Sequence, residues 1–413
     1  SCLMLRTVLL SFLLTTTPLC AVTLSLEDAA PYALVHNREL KAARLRIDAA
    51  KGRLKNAGRL PNPELEIEYL NSTRSGELEL NTTFMQRFPV TARLRLEKQI
   101  SLAQLAQAKL EIANEERNLA ANVRATVIRI LGLEGERRFL QKQIETSREL
   151  VRFSQSRVAT GEISTLDVLQ LELELKQLEA EFAQTDVELA LLMGELRPML
   201  GLSPTEPLKI RGGLPTVGRF PHTRSSEVSR ADLLAARTQA AAAQKGVALA
   251  KAEKWQDIGL GIVGELGRSD EEPGVRRKDY FVGFRLNVPL PLWNDQSGRV
   301  QEARAEALRA QKEAEALENT IRLEADAALV EIRRQARLVK EYDATLIPKS
   351  EEVERALDRA YSAGQVPLVE LIRARSRTLQ LKRQREAPLR GYHLARIRYE
   401  AAVAPALQNT TPP

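Results

Sequence analysis

Arg157-Val-Ala-Thr-Gly-Glu-Ile-Ser-Thr-Leu-Asp-Val-Leu169 and Ala360-Tyr-Ser-Ala-Gly-Gln-Val-Pro-Leu-Val-Glu-Leu-Ile372 are two versions of one phrase. In each, a helical pattern stops at a glycine, Gly161 or Gly364, and restarts a few residues later with an acid in its first turns, Asp167 or Glu370. Glycine at that point is the usual left-handed close of a helix, so each phrase reads as a tight helix-turn-helix tip. Three further stations repeat in the same order. Leu34–Ala57 resembles Val228–Ala252, Pro63–Tyr69 answers Ile258–Gly264, and Met85-Gln-Arg-Phe-Pro-Val90 precedes a long helix as Arg285-Leu-Asn-Val-Pro-Leu290 does. Low-complexity helix matching itself would not reproduce the Pro and Gly positions. The chain is read as an internal duplication of helix, strand pair, long helix, tip and helix.

The boundaries that follow are a leader over 1–21, a first repeat over 22–225 and a second over 226–401, with a disordered tail over 402–413. The first repeat holds strands 64–72 and 77–88, a long helix 91–159 and a helix 164–199. The second holds strands 257–267 and 279–288, a long helix 298–362 expected to run without a break, and a helix 367–401. At 1.5 Å per residue a helix over 91–159 is about 100 Å long, more than any small domain spans. Leu119, Val123, Val127 and Ile130, then Ile144, Val151 and Val158, keep the spacing of a packed stripe. Leu166–Leu178 carries more leucine than one stripe holds, which suits a helix with a neighbour on each side, as in the wall of a cylinder; a plain antiparallel coiled coil is the simpler alternative.

The strands alternate. Leu65, Ile67 and Tyr69 oppose Glu66 and Glu68; Leu78, Leu80 and Phe84 share a strand with Glu79 and Asn81. Ile258, Leu260 and Ile262 oppose Gly259, Gly261 and, further on, Glu265, and Tyr280, Val282, Phe284 and Leu286 oppose Gly283, Arg285 and Asn287. A soluble sheet also alternates, but strands of this length, paired by polar links and flanked by rods too long for a sheet to cover, match a transmembrane barrel wall. Four strands cannot close a barrel and open edges cannot face lipid, so the chain is expected to oligomerise. Two copies give eight strands around packed side chains; three give twelve around a watery lumen.

Composition narrows the function. Of 413 residues only 4% are aromatic and 28% are charged, which disfavours an enzyme with a deep aromatic pocket. The formal charge of +7 is the difference between 61 basic and 54 acidic residues mixed along the same helices, a solvated surface with no nucleic-acid footprint. Arg6, the apolar run Val8–Leu14, Thr15–Thr17 and Ala21 read as a secretory signal peptide. Cys20 follows Leu19, where a lipidation signal wants a small residue, and cleavage near Ala21 removes both Cys2 and Cys20. No later segment reads as a transmembrane helix, so any span is made of strands. His36, His222 and His393 share no spacing with other ligands, so no metal site and no cofactor are expected. Gly259-x-Gly261-x-x-Gly264 lacks the strand-turn-helix setting of a dinucleotide fingerprint, and no catalytic residue is assigned.

These features resemble the TolC-like outer-membrane efflux family over nearly the whole mature chain. Leu60-Pro-Asn-Pro-Glu64 before the first strand, and Val288-Pro-Leu-Pro-Leu-Trp-Asn294 after the last, with Gly298 opening the next helix, look most like its cation-efflux (CzcC-like) branch. The resemblance implies a mainly α protein with a membrane β-barrel: a homotrimer whose twelve-stranded barrel, four strands per chain, lies in outer-membrane lipid and continues into a periplasmic helical tunnel. It implies a periplasmic adaptor (membrane fusion) protein and an inner-membrane pump of the resistance-nodulation-division type as partners, and heavy-metal cations as cargo, with drugs or organic solutes as the alternative. Arg157, Val158 and Gly161, with Ala360, Ala363 and Gly364, would be the adaptor-contacting tips. Asp167, Glu370 and Tyr361 would be the gate latch; Val366 stands where a latch arginine is expected, and Arg373, one turn after Glu370, is a substitute. Three copies of such acids around an axis would favour cations. Pro89 and Pro289, each expected to end a strand and start a helix, mark the barrel-to-tunnel junction, and Glu66, Glu68, Glu79 and Glu265 are candidate lumen carboxylates. A periplasmic adaptor or scaffold also uses long helical hairpins, but carries one hairpin on a small β domain in place of two strand pairs.

Overall fold

The computed structural model describes residues 22–73, 78–158, 160–161, 163–218, 229–272 and 275–403. The expected leader, His222 and the last ten residues lie outside them. In chain order the elements are β1 (Val22–Leu24), α1 (Leu26–His36), α2 (Arg38–Asn56), β2 (Glu64–Asn71), β3 (Leu78–Phe88), α3 (Arg93–Val158), α4 (Thr165–Met199), β4 (Leu208–Ile210) and α5 (Ala231–Ala252). β5 (Ile258–Glu272), β6 (Val275–Asn287), α6 (Ser297–Glu341), a π-turn (Tyr342–Leu346), α7 (Ile347–Ser362) and α8 (Leu368–Val403) complete it. The chain divides into two compact units, and α3, α6 and α8 each pass from one to the other.

One unit comprises residues 38–118, 220–330 and 398–413 and holds the sheet. Its four strands are antiparallel in the order β2-β3-β5-β6. Register aligns their alternations. Leu65, Phe84, Ile262 and Phe284 form one row, and Tyr69, Leu80, Leu266 and Tyr280 another four residues along. Between them lie Ile67, Thr82, Gly264 and Val282. Because paired residues project to the same side, these rows make one continuous apolar face. The opposite face collects Glu64, Glu66, Glu68, Asn81, Glu265 and Arg285. The apolar face is uncovered: Phe284 is 93% and Val282 84% exposed. Among the described residues neither outer edge, of β2 or of β6, has a strand partner.

The second strand pair is longer than the expected strands 257–267 and 279–288, reaching Glu272 and restarting at Val275. Backbone ladders do not require an apolar face, so charged residues continue the pairing beyond Arg268 and Lys278. The prolines end strands but do not start helices: Pro89 precedes α3 by four residues and Pro289 precedes α6 by eight. In the same unit Arg44 on α2 reaches Glu116 on α3 at 2.8 Å, and Arg237 on α5 reaches Glu318 on α6 at 2.8 Å, so each of these helix pairs is tied by an Arg–Glu pair. Arg230, just before α5, is held bidentately by Asp232 at 2.8 and 2.7 Å and by Glu324 of α6 at 2.8 Å.

The other unit comprises residues 1–37, 119–219 and 331–397. Its main core packs Val123, Val127, Ile130 and Leu131 of α3 against Leu196 and Leu200 of α4, Ala29 and Ala33 of α1, and Leu24 and Ile210. Those last two belong to a short parallel pair, β1 beside β4, which the sequence does not announce. A second cluster joins Leu140, Ile144 and Val151 of α3 to Leu175 and Leu178 of α4. On α4 the leucines divide as their number requires: Leu175 and Leu178 are buried, whereas Leu166, Leu169 and Leu173 are exposed and form a second apolar stripe.

Two expected helices are broken. The helix read from Leu34 is divided at Asn37, whose buried amide donates to Met199 O at 3.0 Å and Pro198 O at 3.3 Å at the end of α4. The rod expected over 298–362 contains Pro348, which has no N–H for the helical ladder; a π-turn precedes it and absorbs the missing bond. The last helix runs on to Val403, past the expected end at 401, so the start of the expected tail is helical.

Candidate functional site

Both tips are tight, glycine-closed turns. At the first, Gly161 has φ +71° and donates to Val158 O at 3.0 Å, while Thr160 Oγ1 donates to Arg157 O at 2.9 Å. The guanidinium of Arg157 lies 5.2 Å from the centre of the Phe153 ring. Ser164 then caps α4, accepting from Leu166 N at 3.2 Å. Ala159 and Glu162 of this tip lie outside the described residues. At the second, Gly364 has φ +73° and donates to Tyr361 O at 2.9 Å, Gln365 donates to Ala360 O at 2.8 Å, and Ala363 donates to Arg359 O at 3.1 Å. The first two of these bonds are the paired closure in which the residues just past the helix satisfy its last carbonyls. Ala360, Tyr361, Ala363 and Gly364 therefore sit at the end of α7 on a rigid, exposed corner.

Each tip crowns a hairpin pinned by side chains. Gln155 meets Glu172 at 2.8 Å, Arg148 meets Glu179 at 2.9 Å and Arg137 meets Asp186 at 2.6 Å between α3 and α4. Between α7 and α8, Arg375 bonds Asp358 at 3.1 Å, Ser350 and Thr378 share a hydrogen bond of 2.9 Å, and Lys382 bonds Glu351 at 2.7 Å.

Between α3, α4 and α8 of this unit lies a polar groove of about 410 Å³. Asp167, Gln170, Glu174, Gln177 and Glu181 line it from α4, three and four residues apart and so on one helical face. Arg373, Arg377 and Arg383 face it from α8. Arg383 closes on Glu181 at 2.6 Å. Thus Asp167 and Arg373, two of the four expected latch residues, share one groove, whereas Glu370 and Tyr361 do not line it. Among the described residues the side chains of Asp167, Glu370, Tyr361 and Arg373 make no hydrogen bond or ion pair, so no latch is closed within a single chain. Glu174, Glu181, Arg377 and Arg383 escaped the sequence reading; the signal was the polar 3-4-3-4 spacing along α4.

Further along the helices Glu386 of α8 is buried against α3 at Gly135, where a Cβ would come within 2.5 Å of its Oε2. This close approach accounts for a glycine inside α3. Burial pushes the Glu386 carboxyl above the usual range and Glu136 adds to that, while Arg385 and Arg138 oppose it. A raised native pKa means the folded state holds the proton more tightly, so the stability linked to Glu386 is present at low pH and is lost as pH rises through the native pKa. Glu386→Gln removes this titration. Thermal unfolding followed from about pH 4 to about pH 8 should show the variant gaining on the parent as pH rises; a constant difference would exclude Glu386 as a titrating group.

In the sheet unit a second cavity, of about 430 Å³, lies beside the strand ends. Arg93 bonds Asp257 at 2.7 Å and Glu97 at 2.6 Å there, and Trp255, Asn287 and Pro289 line it. Pro89 does not line it. The described residues contain no group of three or more His, Cys, Asp or Glu placed to hold a metal ion. His36 Nδ1 lies 2.9 Å from Tyr32 O, one turn back on its own helix, and His393 Nε2 2.8 Å from Pro215 O, so both rings engage backbone carbonyls.

Residues 30–201 match the family described as Outer membrane efflux protein. The fold of the chain is that of the outer-membrane efflux channels. The outer-membrane channel OprN superposes with a TM-score of 0.74 at 18% identity, covering 92% of this chain and 89% of that one. The CmeC outer membrane channel of Campylobacter jejuni gives 0.74 at 14% identity, with 92% and 85% covered. CusC gives 0.74 at 15% identity, with 92% of each chain covered. No curated protein matches the chain in sequence. No helix among the described residues is long and apolar enough to cross a membrane.

Proposed function

We propose that the protein is the outer-membrane channel of a tripartite efflux system, a non-enzymatic exit duct fed by an inner-membrane pump through a periplasmic adaptor. The observation that carries this reading is the sheet: one face mostly apolar and uncovered, the other carrying Glu64, Glu66, Glu68 and Glu265, and, among the described residues, neither outer edge with a strand partner. In water such a face and such edges invite aggregation. In an outer membrane, three copies close twelve strands, turn the apolar rows to lipid and the carboxylates to a watery lumen, and leave no edge. The exposed second stripe of α4 supports the same assembly, since a helix in a tunnel wall needs a neighbour on each side. The efflux-channel family match and the fold neighbours support it independently.

Within this reading the tips Arg157–Gly161 and Ala360–Gly364 dock the adaptor, and Asp167 and Arg373, with Glu370 and Tyr361, form the gate between copies. Heavy-metal cations are the proposed cargo, on the strength of the CzcC-like sequence features and the acidic sheet face. Deleting the chromosomal gene should lower resistance to metal cations above all; a loss confined to organic toxicants would transfer the cargo to that class, and unchanged resistance to every compound would remove the export reading. Asp167→Ala should raise single-channel conductance in planar bilayers and lower cation preference. Unaltered conductance and selectivity would take Asp167 out of the gate.

A further inference from the structure

The cavity of about 430 Å³ beside the strand ends lies on the polar face of the sheet. Arg87, Gly259 and Asn287, which line it, form a row two residues along from Met85, Gly261 and Arg285, the row that includes Glu64, and Arg87 bonds Glu64 at 3.0 Å. The starts of two long helices border it. Arg93 is the first residue of α3 and Arg299 the third of α6, and neither helix has an acid in its first turn, where acids ordinarily offset the positive end. With Arg87 this sets three guanidiniums against two carboxylates, Glu253 and Asp257. Donors are left over. Arg299 gives one nitrogen to Glu253 at 2.9 Å and Arg87 one to Glu64, whereas a guanidinium carries about five N–H donors.

Trp255 adds a flat apolar surface to this lining. Just past α5, Trp255 N donates to Ala252 O at 3.4 Å, a turn that leaves the indole at the cavity and 48% exposed. Among the described residues the ring stacks on no other ring or guanidinium, and its N–H meets no acceptor. The two acids nearby are already matched: Asp257 holds Arg93 at 2.7 Å and Glu253 holds Arg299, so they fix the guanidiniums and leave the lining one positive charge in excess. A flat ring stacks on an indole, and a carboxylate takes paired N–H donors from a guanidinium. The volume is near the lower end of small-molecule sites, which hold ~300–1,000 Å³.

We infer that this cavity is a binding site for small aromatic carboxylates, with the ring on Trp255 and the carboxylate held by Arg87 and Arg299. Its chemistry comes from one chain alone; its place rests on the proposed channel, in which the polar face is the lumen wall and a bound anion stands in the path of the cargo. The chain has two tryptophans, so Trp293→Phe leaves Trp255 as the sole indole. This full-length variant, in detergent, is titrated with para-nitrobenzoate, whose ring quenches indole emission, and with its neutral and cationic counterparts, para-nitrobenzyl alcohol and para-nitrobenzylammonium. Quenching by para-nitrobenzoate should saturate, with the alcohol at least ~10-fold weaker for want of a charged hydrogen bond and the ammonium compound weaker still. Benzoate should displace the quencher and acetate should not. Arg299→Gln should weaken para-nitrobenzoate about ten-fold and leave the alcohol unchanged. Equal, unsaturating quenching by all three compounds would mean a merely exposed indole and would overturn the site. A preference for the ammonium compound, or displacement by acetate as readily as by benzoate, would overturn it too. None of these results depends on how many chains assemble, so a failed site leaves the proposed function standing, and a single-chain particle removes that function without touching the site.

Discussion

Phe284→Arg is expected to prevent stable assembly in the membrane. Phe284 is almost fully exposed and lies in the row Leu65, Phe84, Ile262 and Phe284, the middle one of the apolar rows that run from Ile258 to Leu266 on β5. If that face meets lipid, an arginine near the middle of the apolar band costs ~2–4 kcal/mol per copy, and three copies bring the penalty to roughly 6–12 kcal/mol. If the same face met water, replacing an exposed Phe by Arg would change stability by less than about 0.5 kcal/mol and would improve solubility. The two environments therefore predict opposite signs. Fractionation of cells expressing the variant should find it lost from the outer membrane. Arg285→Ala, one residue along on the carboxylate face, should leave the protein in place.

Gly201→Ala is expected to be the most damaging single-methyl change in the helical unit. Gly201 closes α4 with φ +74°, donating to Pro198 O at 3.0 Å, and the next residue, Leu202, donates to Arg197 O at 3.0 Å. A Cβ there would stand 2.3 Å from His36 O and 2.8 Å from His36 C. Left-handed backbone costs a non-glycine residue ~1–2 kcal/mol. The collision is with main chain, so the end of α1 must also move, straining the Asn37 amide bonded to Pro198 and Met199. A total loss of about 3 kcal/mol or more follows, by the scale of strained backbone and disrupted packing. Gly364→Ala is the matched control: its φ is the same within one degree, +73°, but nothing lies within 4 Å of the added carbon. It should cost only ~1–2 kcal/mol. Thermal unfolding followed by helical circular dichroism separates the two; equal losses would show that the contact with His36 carries no energy.

The sequence carries the strands and tips because each rests on a local rule. Alternation in Leu65–Tyr69 and Tyr280–Leu286 needs no partner to be seen, and Gly161 and Gly364 close helices by backbone geometry alone. What it hides depends on contacts distant in the chain. β1 and β4 are three residues each and pair across a separation of 186 residues, Val22 with Leu208, too short to carry a pattern. Asn37 breaks a helix because the end of α4 offers it two carbonyls, a reason found 161 residues away. The π-turn had a local cue, Pro348, but its position depends on what holds it: Arg385 of α8 grips Asp343 at 2.5 and 2.9 Å. The candidate gate was half legible. The acid after each tip glycine is a local feature, whereas the meeting of Asp167 with Arg373 in one groove depends on the packing of α4 beside α8.

The central claim is that the sheet of one chain is an unfinished wall that identical copies complete. The direct measurement is the mass of the particle extracted from outer membranes into detergent or nanodiscs, by native mass spectrometry. The account predicts three chains per particle, insoluble once lipid and detergent are removed. A single chain per particle, or material that stays dispersed in plain buffer, would contradict it.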